Sequence, residues 1–131
     1  MIPPSSLGPG YYTSVMIGEK YETEISGIAN YSFYGVPIVY TYIPDTVEII
    51  GRGAFYGNAF PLPQIRVRLP ENLKYIGDYA FYGCANWLFG EDDNNMTTLD
   101  IPKGVEYIGR SAFYGCQYIA TLKVPGTVKT I

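Results

Sequence analysis

The feature that most constrains this chain is one short sequence, Ala-Phe-Tyr-Gly, which occurs three times in 131 residues. Each copy follows an apolar residue and a proline at a fixed distance. The interval from the pre-proline residue to Phe is 12 residues in every copy: Ile43 to Phe55, Leu69 to Phe81 and Ile101 to Phe113. A fixed period of this kind predicts a repeat architecture, in which each unit buries its apolar face against the next one.

Further apolar positions keep the same offsets from the pre-proline residue. Val or Leu follows it by four residues, and Ile comes three residues later. These positions are Val47, Leu73, Val105 and Val128, then Ile50, Ile76, Ile108 and Ile131. A weaker copy lies around Phe33. Counting the same offsets back from Phe33 places the pre-proline position at Tyr21, but no proline follows it. The chain therefore holds about four and a half copies.

The interval from Phe to the next pre-proline residue varies, at 10, 14, 20 and 11 residues along the chain. A packed segment resists insertion, whereas doubling a surface loop costs only about 0.6 kcal/mol in closure entropy. The segment from the pre-proline residue to Phe is thus predicted to be the packed rung, and the segment after Gly the variable edge.

Local patterns predict the elements within a rung. Short stretches such as Leu99-Asp100-Ile101 alternate apolar and polar residues, which indicates a strand, and the following proline ends it. Ala-Phe-Tyr-Gly is typical of one tight helical or 3₁₀ turn that Gly terminates. We expect a β-rich solenoid of short parallel strands. Its repeats cover about 21–42, 43–68, 69–100, 101–123 and a partial 124–131, preceded by an N-terminal arm or cap over 1–20 that is rich in Gly and Pro.

The pattern Ile-Pro-x-x-Val-x-x-Ile-Gly-x-x-Ala-Phe-x-x-Cys is complete at 101–116 and resembles the BspA-like, treponemal-type leucine-rich repeat. The stretch 69–84 matches with Leu-Pro, and 43–58 matches except for Asn58 at the Cys position. The resemblance covers 21–131 and implies a curved leucine-rich-repeat solenoid. It also implies a cell-surface or secreted protein that binds proteins, matrix or other cells. No signal peptide is evident at the start of this sequence, which leaves the localisation open.

Composition argues against several classes of function. Only 16% of residues are charged, the net charge is -3, and no basic patch for nucleic acid is visible. The longest apolar runs are too short to span a bilayer. The chain has no His, which removes the commonest general base and zinc ligand. We therefore expect no enzymatic activity, no cofactor and no metal site.

When repeats stack, the residues at one offset in successive repeats lie in a column. One such column holds Val36, Asn58, Cys84 and Cys116. It is predicted to be a buried row of small residues, and the alternative is a disulfide between Cys84 and Cys116. Two further columns alternate in charge along the stack. They hold Glu48, Lys74, Glu106 and Lys129, and Arg52, Asp78 and Arg110. Opposite charges on neighbouring rungs would penalise a slip of one rung.

The candidate partner-binding residues form a column of tyrosines and one loop edge. Tyr34, Tyr56, Tyr82 and Tyr114 make up the column, and they either stack to cover the solenoid edge or offer an aromatic strip to a protein or glycan. Trp87 and Phe89, in the longest variable segment, are expected to be exposed and to contact a partner. The acidic run after them lacks the spacing of a calcium loop and is predicted to be solvated.

Val124, Val128 and Ile131 form a candidate assembly edge, because an uncovered rung exposes both core and strand edges. The sequence accordingly favours a non-enzymatic interaction or adhesion module that binds a protein, or a glycan, through its tyrosine face and loop edge. The alternative is a structural subunit that assembles head-to-tail, or onto a larger complex, through the open end.

Overall fold

The structure is a computed structural model that describes residues 13–16, 26–36, 38–58, 65–89 and 97–131. Ten strands lie within these ranges. They are β1 (Thr13–Met16), β2 (Gly27–Ile28), β3 (Ile38–Tyr42), β4 (Ile49–Ile50), β5 (Ile65–Val67), β6 (Tyr75–Ile76), β7 (Trp87–Phe89), β8 (Thr97–Asp100), β9 (Tyr107–Ile108) and β10 (Ile119–Lys123).

A four-stranded parallel sheet in the order β2-β4-β6-β9 runs along the stack. Its strands have two residues each, and the second residue of each is the buried Ile of the repeat. Ile28, Ile50, Ile76 and Ile108 lie side by side in register, and Thr130 adds one bridge beyond β9 at Tyr107. The β-rich stack of parallel strands predicted from the repeat is confirmed.

Longer strands form three parallel pairs, β1-β3, β5-β7 and β8-β10. The segment between the fourth turn and Val124 contains one strand, β10. The equivalent segment of the preceding repeat contains two strands, β7 and β8. The longest variable segment is therefore an insertion between two strands, within which residues 90–96 lie outside the described residues. β1 falls inside the segment 1–20, while 1–12 and 17–25 are outside the described residues, so the boundary of the predicted arm stays a prediction.

The Ala-Phe-Tyr-Gly segments form turns that keep the i to i−3 hydrogen bonds of a 3₁₀ helix. In the second rung, the N–H of Ala54 donates to the carbonyl of Gly51 at 3.3 Å, and that of Tyr56 to Gly53 at 3.1 Å. Gly53 has φ of 58° and Gly57 has φ of 77°. The expected short turn is present with 3₁₀ hydrogen bonds, and the left-handed residue three positions before Tyr stops it from continuing as a helix. The prediction that Gly closes the turn is confirmed.

In each turn, every second backbone N–H group donates to a carbonyl of the next rung and not to a carbonyl of its own turn. Three such bonds join each pair of successive turns, with N···O distances of 2.7 to 2.9 Å. The donors are Tyr31, Phe33 and Gly35, then Gly53, Phe55 and Gly57, then Tyr79, Phe81 and Gly83. Each turn is thereby held in register on its neighbour.

The glycine four residues before Phe in each later rung determines how closely neighbouring rungs approach; we call these residues the glycine column. A Cβ added to Gly51 would lie 2.7 Å from the backbone nitrogen of Asn30, and one added to Gly77 would lie 2.6 Å from that of Arg52. A Cβ at Gly109 would meet the backbone of Asp78. The first rung has Ala29 at this position, and Ala29 is exposed.

Phe residues of the repeat stack along the centre of the core, as a row that we call the phenylalanine ladder. Phe33, Phe55, Phe81 and Phe113 have ring centroids 5.3 to 5.4 Å apart, with interplanar angles of 6° to 16°. Phe55 and Phe81 are fully buried, and Phe33 and Phe113, at the two ends, are partly buried. This ladder fixes which neighbouring side chains face outward.

Candidate interaction surface

Tyr34, Tyr56, Tyr82 and Tyr114 stack as a second row, which we call the tyrosine ladder. Their ring centroids are 4.9, 4.6 and 5.1 Å apart, and their planes differ by 5° to 13°. Each Tyr directly follows a Phe of the core, so its side chain leaves the turn on the outer side. Tyr34 is 52% exposed and Tyr114 is 64% exposed, while Tyr56 and Tyr82 are half-buried. The ladder thus combines stacking with exposure.

Two tyrosines that the sequence analysis did not single out extend this surface. Tyr31 makes an edge contact with Tyr34 at 6.0 Å, and Tyr79 makes edge contacts with Tyr82 at 5.8 Å and with Tyr56 at 6.4 Å. Both precede their ladder residue by three positions, a common offset that could have revealed them. Tyr31 and Tyr79 have φ of 59°. We call the ladder with these two residues the tyrosine surface.

Tyr56, inside the ladder, has a pKa above its ordinary value. Partial burial of the ring raises the pKa of Tyr56, and unfavourable interaction with the neighbouring phenols of Tyr82 and Tyr34 raises it further. A neutral phenol is both a hydrogen-bond donor and an acceptor. The surface therefore offers apolar ring edges and uncharged polar groups.

The expected exposure of Trp87 and Phe89 is wrong, because both side chains are fully buried in the core. The ring of Trp87 lies 5.2 Å from Phe55 and 5.7 Å from Phe81, and that of Phe89 lies 5.5 Å from Phe81. Strand β7 pairs with β5, which draws these residues into the stack. They are not available to a partner on this surface.

Ion pairs join neighbouring rungs in both charged columns. Lys74 pairs with Glu48 at 2.8 Å, Lys129 with Glu106 at 2.9 Å, and Arg52 with Asp78 at 3.7 Å. All are solvent-accessible, so each contributes little to the free energy of folding and mainly favours the observed register.

The carboxylate of Asp78 contacts the rung that follows it. It accepts hydrogen bonds from the backbone N–H of Arg110 and from the hydroxyl of Tyr107, both at 2.9 Å. These bonds, the one from Arg110 first, lower the pKa of Asp78. Because the Asp78 carboxylate accepts a hydrogen bond from the backbone of the next rung, Asp78 is a structural link between the two rungs.

The two cysteines are free thiols, and the disulfide alternative is therefore wrong. Each Sγ donates a hydrogen bond to the Phe carbonyl of the preceding rung at 3.2 Å, Cys84 to Phe55 and Cys116 to Phe81. Burial raises the pKa of Cys84 well above its usual range and that of Cys116 to about 12. Asn58 occupies the same column and donates to the carbonyls of Phe33 and Phe55. The predicted buried row is confirmed.

The last complete turn is covered on one side only. The N–H groups of Ser111, Phe113 and Gly115 have no acceptor among the described residues, although the equivalent groups of every earlier turn are bonded. Of the candidate assembly edge, Val124 is 43% exposed and Ile131 is 74% exposed, whereas Val128 packs against the core. We call the last complete turn, together with Ile131, the open end of the described stack.

Within the described ranges, no three His, Cys, Asp or Glu side chains lie close enough together to hold a metal ion. In the part of the chain that the structure describes, no helix is long and apolar enough to cross a membrane.

A family model described as "BspA type leucine rich repeat region (6 copies)" matches residues 26–88 and 87–131. The chain belongs to the BspA-type leucine-rich repeat family. A comparison with curated proteins and one with solved structures each gave no match. Leucine-rich repeat regions of this type commonly serve in protein interaction or adhesion and are generally not enzymes. Within the described residues, the tyrosine surface and the open end are the candidate sites for such a role.

Proposed function

We propose that this chain is a non-enzymatic protein-interaction module that binds a protein partner through its tyrosine surface. The observation that carries the proposal is the stacking of four exposed or half-exposed tyrosines at 4.6 to 5.1 Å. The core does not need these rings, since the phenylalanine ladder already fills it. Tyr is enriched in protein interfaces because it provides a large contact area and a hydrogen-bonding group with few rotatable bonds.

Stacking also limits what can bind. The faces of Tyr56 and Tyr82 are covered by their neighbours in the ladder, so the ring edges are the part that a partner can reach. A sugar uses its C–H groups to lie on the electron-rich face of an aromatic ring. A protein partner can instead place aromatic or aliphatic side chains against ring edges and bond the hydroxyls. This geometry supports a protein over a glycan.

The order of the ladder favours binding energetically. Side chains that must be immobilised on binding cost about 0.5–1.5 kcal/mol each. Stacked rings have lost most of that freedom before a partner arrives. Tyr34 and Tyr114, at the ends, have a ladder neighbour on one side only and are more exposed. We therefore place the centre of the contact at Tyr56 and Tyr82.

A matched pair of variants tests the proposal. Tyr56→Ser removes a ladder ring, and Tyr75→Ser removes a ring that stacks on Tyr107 at the same 4.6 Å but belongs to another column. Peptides selected from a displayed random library on the wild-type chain are measured against both variants. We expect Tyr56→Ser to weaken binding at least about tenfold and Tyr75→Ser to leave it unchanged. Equal binding to both variants contradicts the proposal, and binding of a glycan array that depends on Tyr34 or Tyr114 would replace the protein partner by a sugar.

A second function, assembly into a larger structure through the open end, is supported by a separate observation. Among the described residues, the N–H groups of Ser111, Phe113 and Gly115 have no acceptor, and Ile131 is exposed. Backbone groups of this kind are the usual template for adding another chain segment. Sedimentation of the purified chain, alone and with other repeat segments, tests whether this end joins other molecules.

A further inference from the structure

We propose that two copies of this chain associate face to face through the outer side of the four-stranded sheet, about a two-fold axis that runs along the stack. This surface is distinct from the tyrosine surface and from the open end. Three features of it carry the inference: an exposed apolar strip, the charges on both sides of that strip, and the way in which those charges match when the surface meets itself.

The first residues of strands β4, β6 and β9 form an exposed row on the sheet, which we call the sheet strip. Ile49 is 51% exposed and Tyr75 is 40% exposed, although both lie in paired strands. Tyr107 is half-buried, and its ring stacks on that of Tyr75 with centroids 4.6 Å apart. The core does not need these side chains, because the second residue of each strand, such as Ile50, already fills it. An apolar row with a charged rim is typical of a contact site.

Each of the three rungs carries one acid and one base on opposite sides of the sheet strip. The order reverses from rung to rung: Glu48 and Arg52, then Lys74 and Asp78, then Glu106 and Arg110. Within the chain these groups pair between rungs, as Lys74 does with Glu48 at 2.8 Å. The hydroxyl of Tyr107 donates to Asp78 at 2.9 Å, so the second charged column lies directly beside the strip.

This charge pattern is complementary to itself. A two-fold axis along the stack exchanges the two sides of the strip and sets each rung against the same rung of the second copy. Glu48 then faces Arg52 of the second copy, and the acid and the base of the next two rungs meet in the same way. The strip residues meet their own counterparts, so that Ile49 packs on Ile49 and Tyr75 on Tyr75.

The charges also exclude the neighbouring register. A shift of one rung would set Glu48 against Asp78 and Lys74 against Arg110, so like charges would meet along the strip. Juxtaposed like charges cost far more than exposed opposite charges contribute. One alignment of the two copies is therefore favoured over its neighbours.

A two-fold axis along the strands fits less well. Depending on its position, such an axis sets Ile49 against the polar Thr130, which is the next residue along the row, or sets Tyr107 against Gly27. Both arrangements leave part of the apolar strip without an apolar partner. Neither brings Glu48 and Arg52 together, which gives the two arrangements different experimental outcomes.

The surface is small, so the association should be weak. Interfaces that bury less than about 1,200 Å² in total belong to transient complexes. Exposed ion pairs contribute little affinity but determine orientation. We therefore expect the sheet strip to provide the binding free energy and the charges to select the register, with a dissociation constant of about 100 μM to 1 mM.

Two charge-swapped variants test the orientation. Glu48→Lys makes both sides of its rung positive and Arg52→Glu makes both sides negative, so each variant alone should dimerise at least about tenfold more weakly than wild type. A 1:1 mixture should restore association to within about threefold, because every facing pair is again of opposite charge. Sedimentation equilibrium measures the dissociation constants. ¹⁵N-labelled Glu48→Lys titrated with unlabelled Arg52→Glu should show shifts at Ile49 and Tyr75.

A third variant tests the apolar strip without changing any charge. Ile49→Thr keeps a β-branched side chain at an exposed strand position, so the fold should be retained. We expect dimerisation to weaken at least about tenfold, since the substitution removes apolar contact from both copies. Leu122→Thr is the matched control, because Leu122 is 39% exposed in β10, outside this sheet, and the change should leave association unaltered.

A wild-type chain that stays monomeric at about 1 mM overturns the inference. Self-association that Ile49→Thr leaves unchanged, or that mixing the two charge variants does not restore, also overturns it, and association through the open end would give that result. Peptide binding to the tyrosine surface is measured at low micromolar concentration, where the chain is monomeric. Tyr75→Ser therefore remains a valid control there, and the two proposals can fail independently.

Discussion

Two aromatic rows run the length of this stack side by side, and adjacent residues of one short sequence supply both. The phenylalanine ladder has centroid spacings of 5.3 to 5.4 Å and the tyrosine ladder 4.6 to 5.1 Å, so stacking itself is alike in the two. They differ in what surrounds them. Phe81 also contacts Trp87 and Phe89, whereas Tyr82 has solvent on its outer side. Enclosure, and not ring-on-ring contact, should therefore decide which row stabilises the fold.

The largest expected effect comes from removing a ring of the inner row. Phe81→Ala leaves a cavity among four aromatic rings, and such changes cost about 3–5 kcal/mol in free energy of unfolding. Urea denaturation followed by circular dichroism measures the loss. If Tyr82→Ala proves as costly as Phe81→Ala, the two rows contribute equally and the comparison fails.

A change in rung spacing should strain both rows together. Gly77→Ala places a Cβ 2.6 Å from the backbone of Arg52, and overpacking of this kind costs about 1–3 kcal/mol. Gly126→Ala is the matched control, because nothing lies within 4 Å of its added Cβ. The midpoints of thermal unfolding should fall for the first variant only. Unchanged stability of Gly77→Ala would mean that the rungs can separate freely.

Stacking in the outer row should contribute a smaller amount. A double-mutant cycle on Tyr56 and Tyr82, each changed to Ala, isolates their interaction, which for aromatic pairs is about 0.5–1.5 kcal/mol. The same cycle on Phe55 and Phe81 gives the inner counterpart. We expect similar coupling in the two cycles despite very different single-variant losses. A coupling free energy near zero in the outer row would indicate that stacking between the tyrosines does not stabilise the fold.

The smallest effect concerns the carboxylate that links rungs beside these rows. The pKa of Asp78 is lower in the folded chain, so its charge stabilises the fold at neutral pH, and this contribution disappears as pH falls from about 4 through the folded-state pKa. Asp78→Asn keeps an acceptor but removes the charge. The variant should be less stable than wild type at pH 7 and equally stable in strong acid, measured by urea unfolding across that range. A constant difference at every pH would contradict this assignment.

Sequence reasoning succeeded wherever the period was fixed. The positions of Ile50, Phe55 and Gly57 in the rung follow from equal offsets, because a stacked unit must place identical residues in identical surroundings. The buried column of Cys84 and Cys116 and the alternating charges follow by the same logic. These features form most of the fold and the tyrosine ladder.

It failed where the period is broken. Trp87 lies in the segment whose length varies, so no offset indicated that β7 would pair with β5 and bury it. Exposure of Tyr56 relative to Tyr114 also could not be read from the sequence, since it depends on how many neighbours a rung has. The Ala-Phe-Tyr-Gly phrase predicted the short turn, but the positive φ of Tyr79 and Ser111, at the position that Gly53 holds, carries no recognisable sequence signal.

The hydrogen bonds between turns all run in one direction, from each rung's N–H groups to the carbonyls of the next. Peptide dipoles aligned in this way add together, as they do along an α-helix. The column of turns therefore has a partial positive charge at the Ser111–Gly115 end and a partial negative charge at the first rung. Its sense is opposite to that of an α-helix, in which the N-terminal end is positive. The bonds beside the four-stranded sheet run the opposite way, from Gly51, Gly77 and Gly109 to carbonyls of the preceding rung, so the polarity of the turns is balanced in part across the width of the stack.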